Sequence, residues 1–285
     1  MLKRYAFRHL ISICVVFFLC ACNHPIFYQP QSYHWSDLKA FQAARSAIEL
    51  QYTTETGRQM AYYLAPLDVP AKPPKQLWIF FSGISSLALD WLTWLGDAPR
   101  EHTGYLLIDY PGYGLNEGVA RAARILHSSL AAVDALAKYT QADRHELEKG
   151  LNILGHSLGT GTALQFAVHV QVKKIILVSP FTDLRGLIAD RYGGLLGGFI
   201  NLINPEEYDN VQRLAELAAR PDPPQVFIFH GDSDNVIPVW MGRKLARLYP
   251  AMTTYHELKG VGHSGFFADH LPLILDAMSD DGDKP

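Results

Sequence analysis

The chain has 285 residues, of which 48% are hydrophobic and 19% are charged, and its formal net charge is −3. This length and composition predict one globular α/β domain with a substantial core rather than two small domains. The small negative charge provides no basic surface of the kind that nucleic-acid binding requires, so we predict no nucleic-acid partner.

Residues 1–21 have the features of an export signal. Lys3, Arg4 and Arg8 precede an apolar run over 10–19, which is shorter than the about 20 apolar residues of a membrane span. All three cysteines of the chain lie before residue 23. The folded body is therefore predicted to have no disulfide, no thiol nucleophile and no cysteine-bound metal.

The end of this segment, Leu19-Cys20-Ala21-Cys22, resembles the lipobox of bacterial lipoproteins. The resemblance implies cleavage after residue 21, lipid modification of Cys22, and attachment to a membrane of the bacterial cell envelope through acyl chains. Asn23 follows the cysteine, and the absence of Asp there implies the periplasmic side of the outer membrane. Simple secretion and an uncleaved anchor are the alternatives.

Residues 22–44 show no sustained period and predict a tether that packs loosely on the domain over 45–279. Strands then alternate with helices, which predicts a doubly wound, mostly parallel sheet with helices on both faces and an antiparallel hairpin at one edge. The predicted strands are 47–52, 59–64, 76–81, 105–110, 151–154, 172–179, 225–230 and 253–258. The predicted helices are 87–95, 119–139, one from 160 onward, 208–219, 239–249 and 266–278.

Two segments depart from this alternation. Residues 181–205 combine apolar side chains with two Gly-Gly pairs, which predicts a short, flexible cap of about that length over the site. Residues 280–285 form an acidic tail that is predicted to be disordered.

The turn Gly155-His156-Ser157-Leu158-Gly159 lies between a predicted buried strand and a helix. Such a turn exposes Ser157 at the carboxyl end of the strand, and it needs the two glycines because helix and strand approach closely. The N-terminus of the helix also directs its positive dipole end toward a developing oxyanion. Ser157 is therefore the candidate nucleophile, and His156 is expected to pack beside the turn.

A serine nucleophile needs a base that removes its proton and a partner that orients the base. Two downstream loops at strand ends provide such groups: the loop over 230–238 contains Asp232 and Asp234, and the loop over 260–264 contains His263. This order of Ser, Asp and His is the order of the α/β-hydrolases. Asp183 is a further candidate acid.

His256 and His270 are alternative bases. The same region superficially offers a metal site through His230, Asp232 and Asp234. We predict no metal there, because strand alternation sends neighbouring side chains in different directions.

These motifs together resemble those of the α/β-hydrolase family over residues 45–279. The matching segments are Ser82-Gly83, 109–114, the Ser157 turn, 179–182, the 230–238 loop and Gly262-His263. The chain is most similar to small-capped serine hydrolases of the prolyl-oligopeptidase and depalmitoylase-like branches. Ser82 is a departure, since many members have histidine there.

The resemblance implies a role for each site residue. Ser157 would be the nucleophile, His263 the general base and then acid, and Asp234 the orienting acid. The backbone N–H groups of Leu158 and Ile84 would form the oxyanion hole. Asp109, Tyr110 and Tyr113 are interpreted as structural, with Tyr113 also a candidate for the acyl pocket.

The sequence thus predicts a lipid-anchored serine hydrolase that cleaves carboxylic esters or thioesters through an acyl-enzyme, without a cofactor. Apolar side chains near the predicted site favour an apolar acyl group; they are Trp91, Trp94, Phe181, Leu195, Leu196, Phe199 and Ile200. A serine peptidase acting on short peptides and a non-catalytic hydrolase-fold envelope lipoprotein are the alternative functions. The oligomeric state has no signal in the sequence.

Overall fold

The computed structural model describes residues 28–34, 38, 47–68, 72–98, 101–203 and 208–279. The export signal, Cys22, most of the tether and the acidic tail lie outside these residues, so the hypotheses about them stay predictions. Within the described part of the chain, no helix is both long and apolar enough to cross a membrane.

The described residues contain one sheet of eight strands with helices between them. The strands are β1 (Ala47–Thr54), β2 (Gly57–Leu64), β3 (Gln76–Phe81), β4 (Thr103–Ile108), β5 (Leu151–His156), β6 (Lys174–Val178), β7 (Gln225–Gly231) and β8 (Thr253–Leu258). The helices are α1 (Trp91–Trp94), α2 (Ala122–Thr140), α3 (Arg144–Glu148), α4 (Leu158–Ala167), α5 (Leu184–Tyr192), α6 (Gly194–Ile203), α7 (Asn210–Ala218), α8 (Val239–Leu248), α9 (Phe266–Asp269) and α10 (Leu271–Met278).

The strand order is β1-β2-β4-β3-β5-β6-β7-β8. β1, β2 and β4 pair antiparallel, whereas β4, β3, β5, β6, β7 and β8 pair parallel. The predicted edge hairpin and the mostly parallel, doubly wound sheet are therefore confirmed. Because the carboxyl ends of β3, β5, β6, β7 and β8 share one edge, the loops that follow these strands meet there.

Side chains of β3 show why the sheet is covered on both faces. Leu77, Ile79 and Phe81 belong to one apolar cluster with α2, α4, α7 and α8, while Trp78 and Phe80 belong to a second cluster with α1, α9 and α10. A strand buried on both faces has no polar face, which explains its continuous apolar sequence. β8, at the end of the sheet, pairs only with β7 and is largely half-exposed.

Two predicted helices are divided or shortened in the structure. The segment over 266–278 breaks at His270, because Pro272 lacks an N–H group and its ring would clash with the carbonyl of the preceding turn. The helix predicted from 208 begins at Asn210, because the Asp209 carboxylate caps it by accepting a hydrogen bond from the Gln212 amide.

The predicted cap is more ordered than a loop. α5 and α6 form a helical hairpin over most of 181–205, joined at Gly193, whose φ of 61° suits glycine. The side chain of Asp183 caps α5 by accepting a hydrogen bond from the Gly186 amide. The Gly-Gly pairs that suggested flexibility thus lie at a helix junction and within α6.

The prediction of a loosely packed tether does not hold for residues 28–34. Tyr28 is buried, and its hydroxyl lies 2.7 Å from that of Tyr208. The Gly114 amide donates a hydrogen bond to the backbone oxygen of Gln31, and the Tyr33 hydroxyl donates one to Asp109 Oδ2 at 2.6 Å. This part of the chain is therefore integrated into the domain.

Candidate active site

The turn between β5 and α4 holds Ser157 in a strained conformation, with φ of 57° and ψ of −124°. Gly155 and Gly159 do not carry this strain. They are required by close approach, since a Cβ on Gly159 would overlap the carbonyl oxygens of Phe81 and Ser82, and a Cβ on Gly155 would contact Gly159 and Ala163. The strain at Ser157 directs its side chain to the sheet edge where the loops meet.

Three side chains predicted from the sequence come together there. Ser157 Oγ lies 2.9 Å from His263 Nε2, and His263 Nδ1 lies 2.8 Å from Asp234 Oδ2. With an ionised Asp234, the Nδ1–H group donates to the carboxylate, so Nε2 carries the lone pair that accepts the Ser157 proton. This arrangement can activate a serine hydroxyl.

The loop after β7 fixes the Asp234 carboxylate before any substrate binds. Oδ1 accepts hydrogen bonds from the amides of Val236 and Ile237, both at 2.9 Å. The fully buried His230 donates its Nε2–H group to the Ile237 carbonyl at 2.9 Å, and the same nitrogen lies 3.5 Å from Asp234 Oδ2. Burial alone would raise the pKa of Asp234, but hydrogen bonds from His230, His263 and the Ile237 amide outweigh burial and hold that pKa well below its usual range. Asp234 is therefore ionised and its orientation is fixed.

The loop after β3 contributes Ile84, whose backbone amide was predicted to bind an oxyanion with that of Leu158. Both residues line the same cavity as Ser157, and neither amide has a hydrogen-bond acceptor among the described residues. Tyr113 fixes the loop by donating to the Ile84 carbonyl at 2.6 Å. Tyr110 donates to the Ser82 carbonyl at 2.7 Å. The two amides are thus available to a ligand.

Ser82, the departure from the family pattern, has a defined role in this loop. Its hydroxyl oxygen accepts a hydrogen bond from Trp91 Nε1 at 2.8 Å, which ties the loop to α1. Asp109 fixes the start of the same helical region by accepting a hydrogen bond from the Ala88 amide. Asp109 and Tyr110 are therefore structural, as predicted.

A cavity of about 260 Å³ adjoins Ser157 and is mostly apolar. Its lining residues are Gln29, Ile84, Ser157, Leu158, Phe181, Leu184, Leu187, Ile188, Arg191, Tyr192, Val236 and Ile237. Of the apolar residues suggested by the sequence, only Phe181 lines it. Trp91 and Trp94 pack against Phe267 in the second core cluster instead, and Tyr113 is not part of the lining.

The other candidates have different surroundings. Asp232 Oδ1 accepts a hydrogen bond from the Gly260 amide at 2.7 Å, and Asp183 caps α5. His256 stacks on Phe229, and His270 lies at the junction of α9 and α10. No group of three metal-ligating side chains occurs within the described ranges.

His156 packs behind the candidate base, as predicted. Its ring lies 5.1 Å from that of His263, and its Nε2–H group donates to the His263 carbonyl at 3.2 Å. Burial lowers the pKa of His156 to about 4, and repulsion by a protonated His263 acts in the same direction. His156 is thus neutral at pH 7.

This shift predicts a pH-dependent contribution to stability. An unfolded histidine has a pKa of about 6.5, so the unfolded chain binds the proton first as the pH falls. The stability due to neutral His156 is complete above about pH 6.5 and is lost as the pH falls toward the folded value of about 4. Asp109 has the opposite effect on the pH dependence of stability, because burial raises its pKa to about 6 and the folded chain then binds the proton first.

The measurement must therefore be a difference between two proteins that both contain Asp109. We expect the free energy of unfolding of the wild type minus that of His156→Asn to shrink by about 2–3 kcal/mol from pH 7 to pH 4 in urea titrations. A difference that does not change with pH would contradict the assignment of the shift to His156.

Several residues at the site were not predicted from the sequence. His230 was considered only as a metal ligand, although its fully buried ring binds the Ile237 carbonyl and lies next to the Asp234 carboxylate. Gln29 belongs to the predicted tether and Arg191 to the predicted cap, and neither was predicted to line the site. Val236 and Ile237 come two and three residues after Asp234, and this apolar pair close to the candidate acid was the one available signal.

Comparisons with known proteins agree with the geometry of the fold. Relatives from Mycobacterium tuberculosis, an uncharacterized protein, and from Acanthamoeba polyphaga mimivirus, named "Putative alpha/beta hydrolase", are each 28% identical, over 159 and 158 residues. These matches cover 56% and 54% of this chain and 52% of each relative. The chain thus spans about half the length of the curated relatives that it matches. No family model matches the chain.

Solved structures match more of the chain. An alpha-beta hydrolase from Vibrio vulnificus has a TM-score of 0.65 at 16% identity, with 85% of each chain covered. An esterase from Pyrococcus furiosus has a TM-score of 0.62 at 12% identity, covering 90% of this chain and 96% of the esterase. The fold is therefore the α/β-hydrolase fold. Its sheet edge is the place where the three candidate side chains meet.

Proposed function

We propose that the protein is a serine hydrolase that cleaves carboxylic esters or thioesters through an acyl-enzyme. The observation that carries this proposal is the continuous chain of hydrogen bonds from Ser157 through His263 to Asp234, at 2.9 and 2.8 Å. The hydrolase and esterase names of the relatives and structural neighbours support the same class.

The first half-reaction forms the acyl-enzyme. Ser157 Oγ attacks the carbonyl carbon while His263 Nε2 takes the hydroxyl proton, and the Asp234 carboxylate stabilises the resulting imidazolium. The amides of Leu158 and Ile84 donate hydrogen bonds to the oxyanion. When the tetrahedral intermediate collapses, the bond to the leaving group breaks and Nε2 gives its proton to that group.

The second half-reaction repeats these steps with water. His263 removes a proton from the water, the resulting hydroxide attacks the acyl carbon, and the proton returns to Ser157 Oγ as the carboxylic acid leaves. No step requires a cofactor. The neutral tautomer held by Asp234 is the form that each half-reaction needs at its start.

The cavity beside Ser157 favours an apolar acyl group of short or medium length. Its volume of about 260 Å³ lies below the about 300–1,000 Å³ of typical drug-sized ligand sites. Helix α5 of the cap closes it through Leu184, Leu187 and Ile188.

An active-site-directed label tests the reaction class. A fluorophosphonate should modify the full-length protein, and peptide mass spectrometry should place the adduct on Ser157. Turnover of nitrophenyl esters, acyl thioesters and aminoacyl anilides then separates esterase, thioesterase and peptidase activity. An unmodified Ser157 without turnover of any of these substrates would favour a non-catalytic binding protein.

Filling the cavity is expected to shorten the acyl group that the protein accepts. In Leu187→Trp the larger side chain occupies part of the cavity, so we expect octanoyl ester turnover to fall at least about 10-fold while acetyl ester turnover changes less than about threefold. Leu67→Trp is the control, because Leu67 is exposed and follows β2. Equal losses for both chain lengths would show that Leu187 does not contact the acyl group.

We propose in addition that Cys22 carries a lipid that holds the protein on the outer membrane, facing the periplasm. This proposal depends on the lipobox resemblance and on Asn23. Growth with radiolabelled palmitate should label the wild type and not Cys22→Ser. Labelling that persists in the variant would contradict lipidation at Cys22.

A further inference from the structure

One face of α6 consists of exposed apolar side chains. Leu195, Leu196, Phe199 and Leu202 are 95, 57, 55 and 81% exposed. Their spacing of i, i+1, i+4 and i+7 places them on one face of the helix. Α contiguous apolar patch of this kind marks an interaction surface rather than ordinary exposed residues.

The opposite side of α6 is held against α5. Gly197 is buried next to Ala189, and Asn201 Nδ2 donates a hydrogen bond to the backbone oxygen of Arg185 at 3.1 Å. α6 contains no charged residue. The exposed face is therefore fixed in orientation and apolar throughout.

This face begins shortly after residues that line the cavity beside Ser157. Arg191 and Tyr192, the last two residues of α5, line that cavity and are themselves exposed. Leu195 follows Tyr192 by three positions. The Cα atoms of Tyr192 and Leu195 are therefore at most about 11 Å apart, so a surface that contacts Leu195 also comes close to this exposed part of the cavity lining.

The N-terminal part of the chain reaches the same cavity. Gln29 lines the cavity, and its amide donates a hydrogen bond to the Tyr113 hydroxyl at 2.9 Å. Cys22 precedes Tyr28 by six residues, which span at most about 20 Å even when fully extended. A lipid on Cys22 would therefore hold the cavity entrance close to the bilayer surface.

We propose that the occupant of the α6 face is a lipid bilayer, and that the protein hydrolyses acyl esters presented by that bilayer. This inference depends on the proposed function and names its substrate class. Leu195, Phe199 and Leu202 would enter the acyl boundary, while Arg191 and Tyr192 would lie at the level of the head groups, where cationic and aromatic side chains are favoured. An acyl chain could then pass from the membrane into the cavity without crossing water.

A second copy of the chain fits this face less well. A stable interface buries about 800 Å² and about 20–30 residues on each partner. The four apolar side chains of α6 provide only a small part of that surface. The membrane needs no such extended complementary area.

The test compares two substrates of one full-length protein. A decanoyl ester of 4-methylumbelliferone, whose medium-length acyl group suits the cavity, is incorporated into vesicles of phosphatidylethanolamine and phosphatidylglycerol, and a dissolved nitrophenyl butyrate ester reports the reaction itself. In Leu195→Ser/Leu202→Ser we expect turnover of the vesicle-borne ester to fall at least about 10-fold. Turnover of the dissolved ester should change less than about twofold, because neither residue lines the cavity.

The matched control is Leu67→Ser, which removes another leucine of 68% exposure. Leu64, shortly before it, pairs with Tyr105 near the start of β4, so Leu67 lies at the sheet edge opposite Ser157. The control should hydrolyse both esters like the wild type.

Two outcomes would overturn the membrane inference. The first is an unchanged ratio of vesicle-borne to dissolved ester turnover in the double variant. The second is conversion of a dimer to a monomer by the double variant without loss of vesicle-borne turnover, which would assign the face to a second copy. Failure of the wild type to hydrolyse either ester would instead overturn the proposed function.

Discussion

Replacing Ser157 with alanine is expected to lower kcat for ester hydrolysis by about 10⁴-fold or more. The Ser157 hydroxyl is the only group at the centre of the site that would form the covalent bond, and its oxygen lies 2.9 Å from His263 Nε2. Stopped-flow or spectrophotometric assays with a nitrophenyl ester provide the measurement. Fluorophosphonate labelling should disappear in the same variant.

Ser179→Ala is the matched control for this substitution. Ser179 also follows a strand of the sheet, has a positive φ of 51° and is fully buried. Its hydroxyl has no hydrogen-bond partner among the described residues. We expect the kcat of Ser179→Ala to stay within about twofold of that of the wild type. Comparable activity of Ser157→Ala and Ser179→Ala would refute Ser157 as the nucleophile.

Asp234→Asn is expected to lower kcat by about 10²- to 10⁴-fold with little change of the fold. An asparagine cannot stabilise the imidazolium. Its amide N–H can also donate to His263 Nδ1, which shifts the proton to Nε2 and leaves that nitrogen unable to accept the Ser157 proton. Steady-state kinetics and circular dichroism of the purified variant measure the two effects.

Asp232→Asn separates the two candidate acids. Asp232 is exposed and accepts hydrogen bonds from Gly260 and Ser233, 2.7 and 3.0 Å away, rather than from a histidine. Its loss should change kcat less than about threefold. A larger loss in Asp232→Asn than in Asp234→Asn would transfer the role to Asp232. The double variant Ser157→Ala/Asp234→Asn should have a kcat close to that of Ser157→Ala alone, because the two residues act in the same step.

Local sequence patterns predicted the sheet and the three side chains at its edge. The central strands are continuous apolar runs, and the glycines around Ser157 mark a close approach of helix and strand that the structure contains. Asp234 and His263 each lie in the loop that follows a parallel strand, so the topology brings both loops to the end of the sheet where Ser157 lies.

Features that depend on long-range packing could not be predicted in this way. The hydroxyl groups of Tyr28 and Tyr208 are in contact although the residues are 180 positions apart in the chain. The local sequence around Tyr28 contains no pattern that indicates this contact. The position of Trp91 and Trp94 against Phe267 also depends on the arrangement of α1 and α9. Their apolar character suggested an acyl pocket, but neither lines the cavity: Trp91 is buried in the second cluster, and Trp94 is half-buried against it.

The outermost position of β8 has a consequence for how the protein loses its activity. His263 follows the one parallel strand that has a neighbour on only one side, so fraying there would carry the imidazole away while the interior strands stay paired. Inactivation by mild heat or denaturant would then precede global melting. The chemistry would also require β8 to be paired with β7, so a chain in which this strand is unpaired would not hydrolyse the ester bonds around it.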